Sequence, residues 1–165
     1  MLGLKLPTDP RWVNIVEKNI KEILTDHAFC EQKATSTAIS LIVSFPEYTE
    51  LVQEMTKLVK EEISHFKMVH DKIIERGWTL GRDRKDDYVI KLVTFFPKGG
   101  SRTNQLVHRL LYAALIEARS CERFRLLSEE LEDKELAEFY RNLMVSEANH
   151  YTMFLKFARK YGNKD

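Results

Sequence analysis

Apolar side chains recur along most of this chain in alternating steps of three and four residues, the spacing of one face of a helix. The first such seam runs through Ile20, Leu24, His27, Glu31, Ala34, Ala38 and Leu41. A second takes in Tyr48, Leu51, Met55, Leu58, Glu62, His65 and Val69. The third holds Leu106, Leu110, Ala113, Glu117, Ser120, Phe124 and Leu127, and the fourth Leu136, Tyr140, Leu143, Glu147, His150, Phe154 and Phe157. Punctuation between the seams is sparse. Asp9-Pro10 reads as an N-cap followed by proline at the first helical position, and the helix it opens is expected to run to about Ser44, where Phe45-Pro46 stops it. The second helix is expected from near Pro46 to Gly77, a C′ glycine. A short helix over Asp87–Phe96 follows a polar stretch, with a strand as the alternative at its β-branched residues. Ser101–Glu130 forms the third long helix, and Asp133 caps a fourth that ends near Tyr161. Two tight turns and one long middle connection make an all-α four-helix bundle with a single crossover between helices two and three. One domain over residues 1–165 is expected.

Composition supports this reading and narrows the function. Glycine (6) and proline (4) are too few for the turns of a sandwich or barrel. Lys+Arg (26) and Asp+Glu (25) nearly cancel, so any contact with nucleic acid must come from a local patch rather than a global field. Cys30 and Cys121 match no zinc spacing and suggest no disulfide framework; both are expected as small buried side chains. No apolar run is long enough to span a bilayer, and MLGLKLPTDPRW lacks the apolar core of a signal peptide. A reduced, cytoplasmic protein with no membrane partner is the expectation.

Each seam carries a glutamate near its middle. Burying four carboxylates without partners would cost several kcal/mol each, so something positive must sit among them. Glu62 and His65, and again Glu147 and His150, form Glu-x-x-His pairs. Glu31 and Glu62 are 31 residues apart and Glu117 and Glu147 are 30 apart, so each pair folds back about a tight turn to nearly the same height. The result is two half-sites, each a lone glutamate plus a Glu-x-x-His, which is the ligand set of ferritin-like di-iron or di-manganese proteins. Hard carboxylate oxygens with two imidazoles suit iron or manganese better than zinc. Glutamates satisfied by lysine or arginine on neighbouring helices are the alternative. Glu122 would sit about 7 Å off in height and off the seam, which favours Glu117 as the ligand and leaves Glu122 to support the cluster or to form a salt bridge. His27 lies one turn before Glu31, as a core histidine or as a support for the ligands.

The strings around these residues are more specific than a bundle requires. DHAFCEQKATSTAISLI, EEISHF, LIEARSCERF, ELAEFY and SEANHY closely resemble the bacterial tRNA-(2-methylthio-N6-isopentenyladenosine) hydroxylase family, touching all four long helices from about residue 20 to 157. The resemblance implies a non-haem di-iron monooxygenase that uses O2 and an external electron donor to hydroxylate the isopentenyl group of a modified adenosine in tRNA. Carried over by motif, the metal ligands are Glu31 in CEQKA, Glu62 and His65 in EEISH, Glu117 in IEARS, and Glu147 and His150 in SEANH. These are the six residues the seams bring out. Ala34, Ala38, Ala113 and Ser120 would leave room for an isopentenyl-sized group or serve close helix packing.

Candidate phosphate contacts are Arg109, Arg119 and Arg123, which with Arg102 fall within roughly a 100° arc of the third helix. Arg84, Lys85 and Lys98 in the connection would extend that stripe, whereas pairing with Glu122 or other acids is the competing use. Two rival functions remain at this point: a ferritin-like ferroxidase or other di-iron or di-manganese oxidoreductase without an RNA substrate, and a helical scaffold with buried ion pairs.

Overall fold

The structure, a computed structural model, describes residues 4–162. The first three and last three residues of the expected single domain lie outside the described residues. Among the described residues there are six helices and no strand: α1 (Trp12–Glu17), α2 (Ile20–Ser44), α3 (Thr49–Glu75), α4 (Asp87–Val93), α5 (Arg102–Glu130) and α6 (Lys134–Gly162). No helix among them is long and apolar enough to cross a membrane. The chain groups into two compact units, one made by Lys18–Lys85 and the other by the chain as far as Glu17 and again from Asp86.

In the first unit α2 packs along α3, joined by a tight turn in which the Tyr48 N–H donates to the Phe45 carbonyl at 3.2 Å. The seam residues Leu24, Ala38 and Leu41 of α2, and Leu51, Met55 and Val69 of α3, are fully buried, as is Ile73 one turn beyond Val69. α3 ends as its glycine foretells. Gly77 adopts φ +72°, its N–H donates to Ile74 O at 2.8 Å, and the Trp78 N–H donates to Ile73 O at 3.1 Å. That pair of bonds is a Schellman motif, which closes off helix carbonyls that would otherwise lack donors and requires a left-handed residue at the turn.

In the second unit α5 packs along α6, and α1 and α4 rest on α5. Three side-chain caps set its helix starts. Ser101 Oγ accepts from the Asn104 N–H at 3.1 Å, Asp133 Oδ1 from Leu136 at 3.0 Å, and Asp86 Oδ1 from Tyr88 at 2.8 Å. The β-branched stretch after Asp86 is therefore helical, because the cap holds its first free N–H groups; the helix stops at Val93, short of Phe96.

One boundary departs from expectation. A single helix from Asp9-Pro10 to Ser44 is broken at Lys18–Asn19 into α1 and α2. Asn19 sits at φ −140° and ψ 37°, outside the helical region, and makes no side-chain cap. The break falls where the chain passes from one compact unit to the other. Val13 and Val16 are buried in the unit that contains α5, whereas Leu24 begins the seam of α2.

Candidate metal centre

The same number of residues separates Glu31 from the C-cap Phe45 as separates Glu62 from the N-cap Tyr48. Antiparallel helices of equal pitch then bring the two carboxylates to one level. In this hairpin Glu31, Glu62 and His65 are all buried, and one ligand atom from each lies within 4.8 Å of the others. His65 Nδ1 faces the cluster, 3.3 Å from Glu62 Oε2 and 3.8 Å from Glu31 Oε2, while its Nε2 points away toward Glu61 Oε1 at 4.0 Å. Glu61 thus stands behind the imidazole as a neighbouring charge, beyond direct hydrogen-bond distance. It was not among the residues expected from the sequence, although the Glu-Glu doublet before His65 was its signal.

The second hairpin repeats the arrangement. Glu117 precedes the C-cap Leu131, and Glu147 follows Asp133, by that same number of residues. Glu117, Glu147 and His150 are buried, with one ligand atom of each within 4.8 Å of the others. His150 Nδ1 stands 3.8 Å from Glu147 Oε1. Each hairpin therefore presents two carboxylates and one imidazole to a single point in a dry interior. That donor set fits a hard or borderline divalent cation such as iron or manganese, whose charge would offset two carboxylates.

His27 supports Glu31 directly. Its Nε2 lies 2.5 Å from Glu31 Oε1, and both side chains are about 5% exposed. Burial, and then the neighbouring His65, push the His27 imidazole down to about 3, so it is neutral at pH 7. Facing a carboxylate, its Nε2 must then carry the proton and donate. Thr35 Oγ1 donates to the Glu31 carbonyl at 3.0 Å, fastening the same turn of α2.

Glu122 is buried, but its partners lie elsewhere. Its carboxylate accepts from the Thr8 N–H at 2.9 Å, from Thr8 Oγ1 at 2.7 Å and from Arg119 Nη1 at 2.5 Å. It makes a salt bridge, the second of the two roles expected for it. Burial alone would raise its carboxyl, but the Thr8 hydrogen bonds and the Arg119 charge outweigh burial and hold it below its ordinary 4.5.

The proposed phosphate stripe is also largely turned to internal use. Arg119 donates to Glu122, to Thr8 Oγ1 at 3.2 Å and to Leu6 O at 3.1 Å, and its guanidinium lies 5.5 Å from the Tyr88 ring centroid. The Arg123 guanidinium sits 5.3 Å from the Trp12 ring and 6.0 Å from Tyr88. Such contacts contribute about 0.5–2 kcal/mol each and hold α1 and α4 against α5. Arg109 is half-buried, and burial pulls its guanidinium down. Of the two cysteines, Cys121 is buried as expected, its thiol 3.5 Å from Met144 O and pushed up by burial. Cys30 is exposed, against expectation, because it falls between His27 and Glu31 on the outward side of the seam. Ala38 and Ala113 are buried, and Ala34 and Ser120 half-buried.

Comparison with known proteins places this geometry. A family model described as tRNA-(MS[2]IO[6]A)-hydroxylase (MiaE) matches residues 2–165. A protein of Pseudomonas putida named tRNA 2-(methylsulfanyl)-N(6)-isopentenyladenosine(37) hydroxylase is 37% identical over 161 residues, which is 98% of this chain and 77% of that relative. A Salmonella typhimurium protein of the same name is 28% identical over 217 residues, again 98% of this chain and 77% of the relative. That alignment is longer than the chain itself, so the Salmonella protein carries internal segments absent here. Among solved structures, one titled "Protein 43 with aldehyde deformylating oxygenase activity from Synechococcus" superposes with a TM-score of 0.90 at 33% identity, covering 95% of this chain and 77% of that one. The all-helical order and this likeness identify the fold as the ferritin-like four-helix bundle.

Proposed function

From the chain's membership of the tRNA-(MS[2]IO[6]A)-hydroxylase (MiaE) family, we propose that it is an O2-dependent, non-haem di-iron monooxygenase acting on tRNA. Its substrate is the isopentenyl group of 2-methylthio-N6-isopentenyladenosine, which gains a hydroxyl. The observation that carries this reading is the repeated pairing of a lone glutamate with a Glu-x-x-His: Glu31 with Glu62 and His65, and Glu117 with Glu147 and His150. The six residues would hold two metal ions, iron by preference and manganese by the same donor chemistry.

Two ferrous ions held there would supply the O2-activating chemistry that insertion of oxygen into an unactivated C–H bond demands. The chain's own residues supply the rest. Four carboxylates balance the charge of two divalent cations. Neutral His27, by donating to Glu31 Oε1, holds that carboxylate in one orientation. The apolar seams on either side, including Leu24, Leu58, Leu110 and Leu143, keep bulk water from the ligands. Hydroxylation places one oxygen atom on carbon and the other in water, which consumes two electrons and two protons beyond those of the substrate. Those electrons come from an external donor.

The test incubates the iron-loaded protein with isopentenylated tRNA, a reductant and O2, and measures the nucleosides by mass spectrometry. A gain of one oxygen on the modified adenosine is expected. Iron-bound protein that consumes O2 while this nucleoside stays unchanged would move the chain to the ferroxidase reading. Loss of a formyl group from an added aldehyde in place of tRNA oxygenation would align its chemistry with the Synechococcus protein.

A further inference from the structure

The segment from Tyr88 to Arg102 contains three cations, Lys91, Lys98 and Arg102, and no acid. It also carries three exposed large apolar side chains, among them Phe95, the most exposed large apolar residue among the described residues. Phe95 is 80% exposed, Val93 53% and Ile90 49%, and α4 buries none of its residues. This is not looseness of the chain. Tyr88 N–H and Val89 N–H are capped by Asp86, and the turn after α4 is closed by Phe95 N–H to Leu92 O and Phe96 N–H to Val93 O, both at 3.2 Å. Phe96 packs inward against His108 and Tyr112, with ring centroids 6.1 and 5.8 Å away. Of two adjacent phenylalanines, one therefore fixes the backbone and the other is held out in solvent.

The placement of these rings on α5 adds a direction. Tyr88, at the start of α4, lies by Arg119 and Arg123, and Phe96, just past its end, lies by His108 and Tyr112. The α4 segment thus runs antiparallel along α5 past the level of Glu117. Tyr112 is five residues before Glu117, about 7.5 Å along the helix axis.

We propose that Phe95, with Lys91 and Lys98 close by in sequence, is a stacking platform for a base of the single-stranded loop of the RNA substrate. The proposal rests on the tRNA reading above and names the surface that reading lacks. An adenosine whose side chain must reach buried carboxylates has to leave its base stack, and it strips one face from its neighbour in the loop. A flat apolar ring fixed beside cations meets both needs of such a strand, a π-face for the uncovered base and positive charge for its phosphates. A protein partner would be met by apolar area alone or by pairs of both signs, whereas beyond Asp86 and Asp87 at the start of α4 the strip around Phe95 offers cations only.

Iron-loaded protein is titrated with an isopentenylated anticodon stem-loop RNA, and its turnover of tRNA is measured in parallel. Phe95→Ala and Phe95→Leu should each weaken RNA binding roughly 5- to 100-fold and raise KM, with iron content unchanged. Phe95→Trp should bind within about threefold of the parent and show indole fluorescence quenched by RNA. Lys91→Gln should lower the log–log salt slope by at most about 0.7. Parental affinity in Phe95→Leu would replace stacking by a generic apolar contact and overturn the proposal. So would unchanged RNA affinity in Phe95→Ala, including the case where that variant instead slows reduction by a protein donor. If the parent protein binds and hydroxylates tRNA while the Phe95 variants do the same, only the stacking platform fails. If the parent does neither, the tRNA reading falls and takes the platform with it.

Discussion

His27 Nε2 donates to Glu31 Oε1 across 2.5 Å, one turn earlier on the same face of α2. The bond is short, buried and made by an imidazole that burial keeps neutral, so it fixes the carboxylate without competing for its charge. His27→Ala should therefore leave the metal ligands in place and weaken metal binding by about 10- to 100-fold, the usual effect of removing a group that orients a ligand. Competition with a graded chelator measures it. A His27→Ala protein that holds iron as tightly as the parent would reduce His27 to core packing.

Removing an imidazole from either hairpin should have a larger effect. His65→Ala and His150→Ala are expected to lose bound iron while circular dichroism stays that of a helical protein. In the parent, iron at 100 times its dissociation constant should stabilise the fold by about 2.7 kcal/mol. At about 2–4 °C per kcal/mol, chelation should lower the melting temperature by roughly 5–11 °C. The two variants should melt at the chelated value with or without iron.

Glu117 and Glu122 stand a few residues apart on α5 and should behave oppositely. Glu117→Ala should abolish bound iron and turnover. Glu122→Ala should keep the iron and lose about 1–3 kcal/mol of stability, since Thr8 and Arg119 would lose their shared acceptor. Metal analysis and chemical denaturation on the same preparations separate the two, and the reverse pattern would assign the ligand to Glu122.

Acid should remove the Glu122 contribution in a defined direction. Its folded-state carboxyl titrates below the ordinary 4.5, so its stabilising effect is fully present above that value. It is lost as pH falls below 4.5 through the lower folded-state value. The melting-temperature difference between iron-free parent and Glu122→Gln should be positive and flat from pH 7 to about pH 5, then shrink toward zero in acid. A difference that grew on acidification would contradict the sign of the shift.

Features written in local chemistry were legible in the sequence. Gly77, Ser101 and Asp133 each announce a helix end by a bond that a nearby backbone group completes, so their positions could be read without the fold. The alignment of Glu31 with Glu62 and of Glu117 with Glu147 follows from counting about a turn. The break at Lys18–Asn19 was hidden because Val13, Val16, Ile20 and Leu24 keep a helical period straight across it, although Val13 and Val16 are buried in one unit and Leu24 in the other. For Arg119 and Arg123 the sequence left phosphate contact and pairing with acids such as Glu122 both open, for a related reason. A helical wheel places them together, but their partners Leu6, Thr8, Trp12 and Tyr88 come from segments remote in the chain. Cys30 shows that the apolar character of a residue type does not set its side of a helix.

The ties of the N-terminal segment have a consequence for the order in which the protein takes shape. Thr8 waits for Glu122, which follows it by 114 positions, and Glu17 accepts from the backbone N–H of Glu132 across 115. At about 5–20 residues per second, a ribosome needs roughly 6–23 s to cover that distance. α2 and α3 pack on each other and can pair during that interval, whereas α1 packs on α5 and waits for it to emerge. α1 is thus assembled after α2 and α3, although it precedes both in the chain.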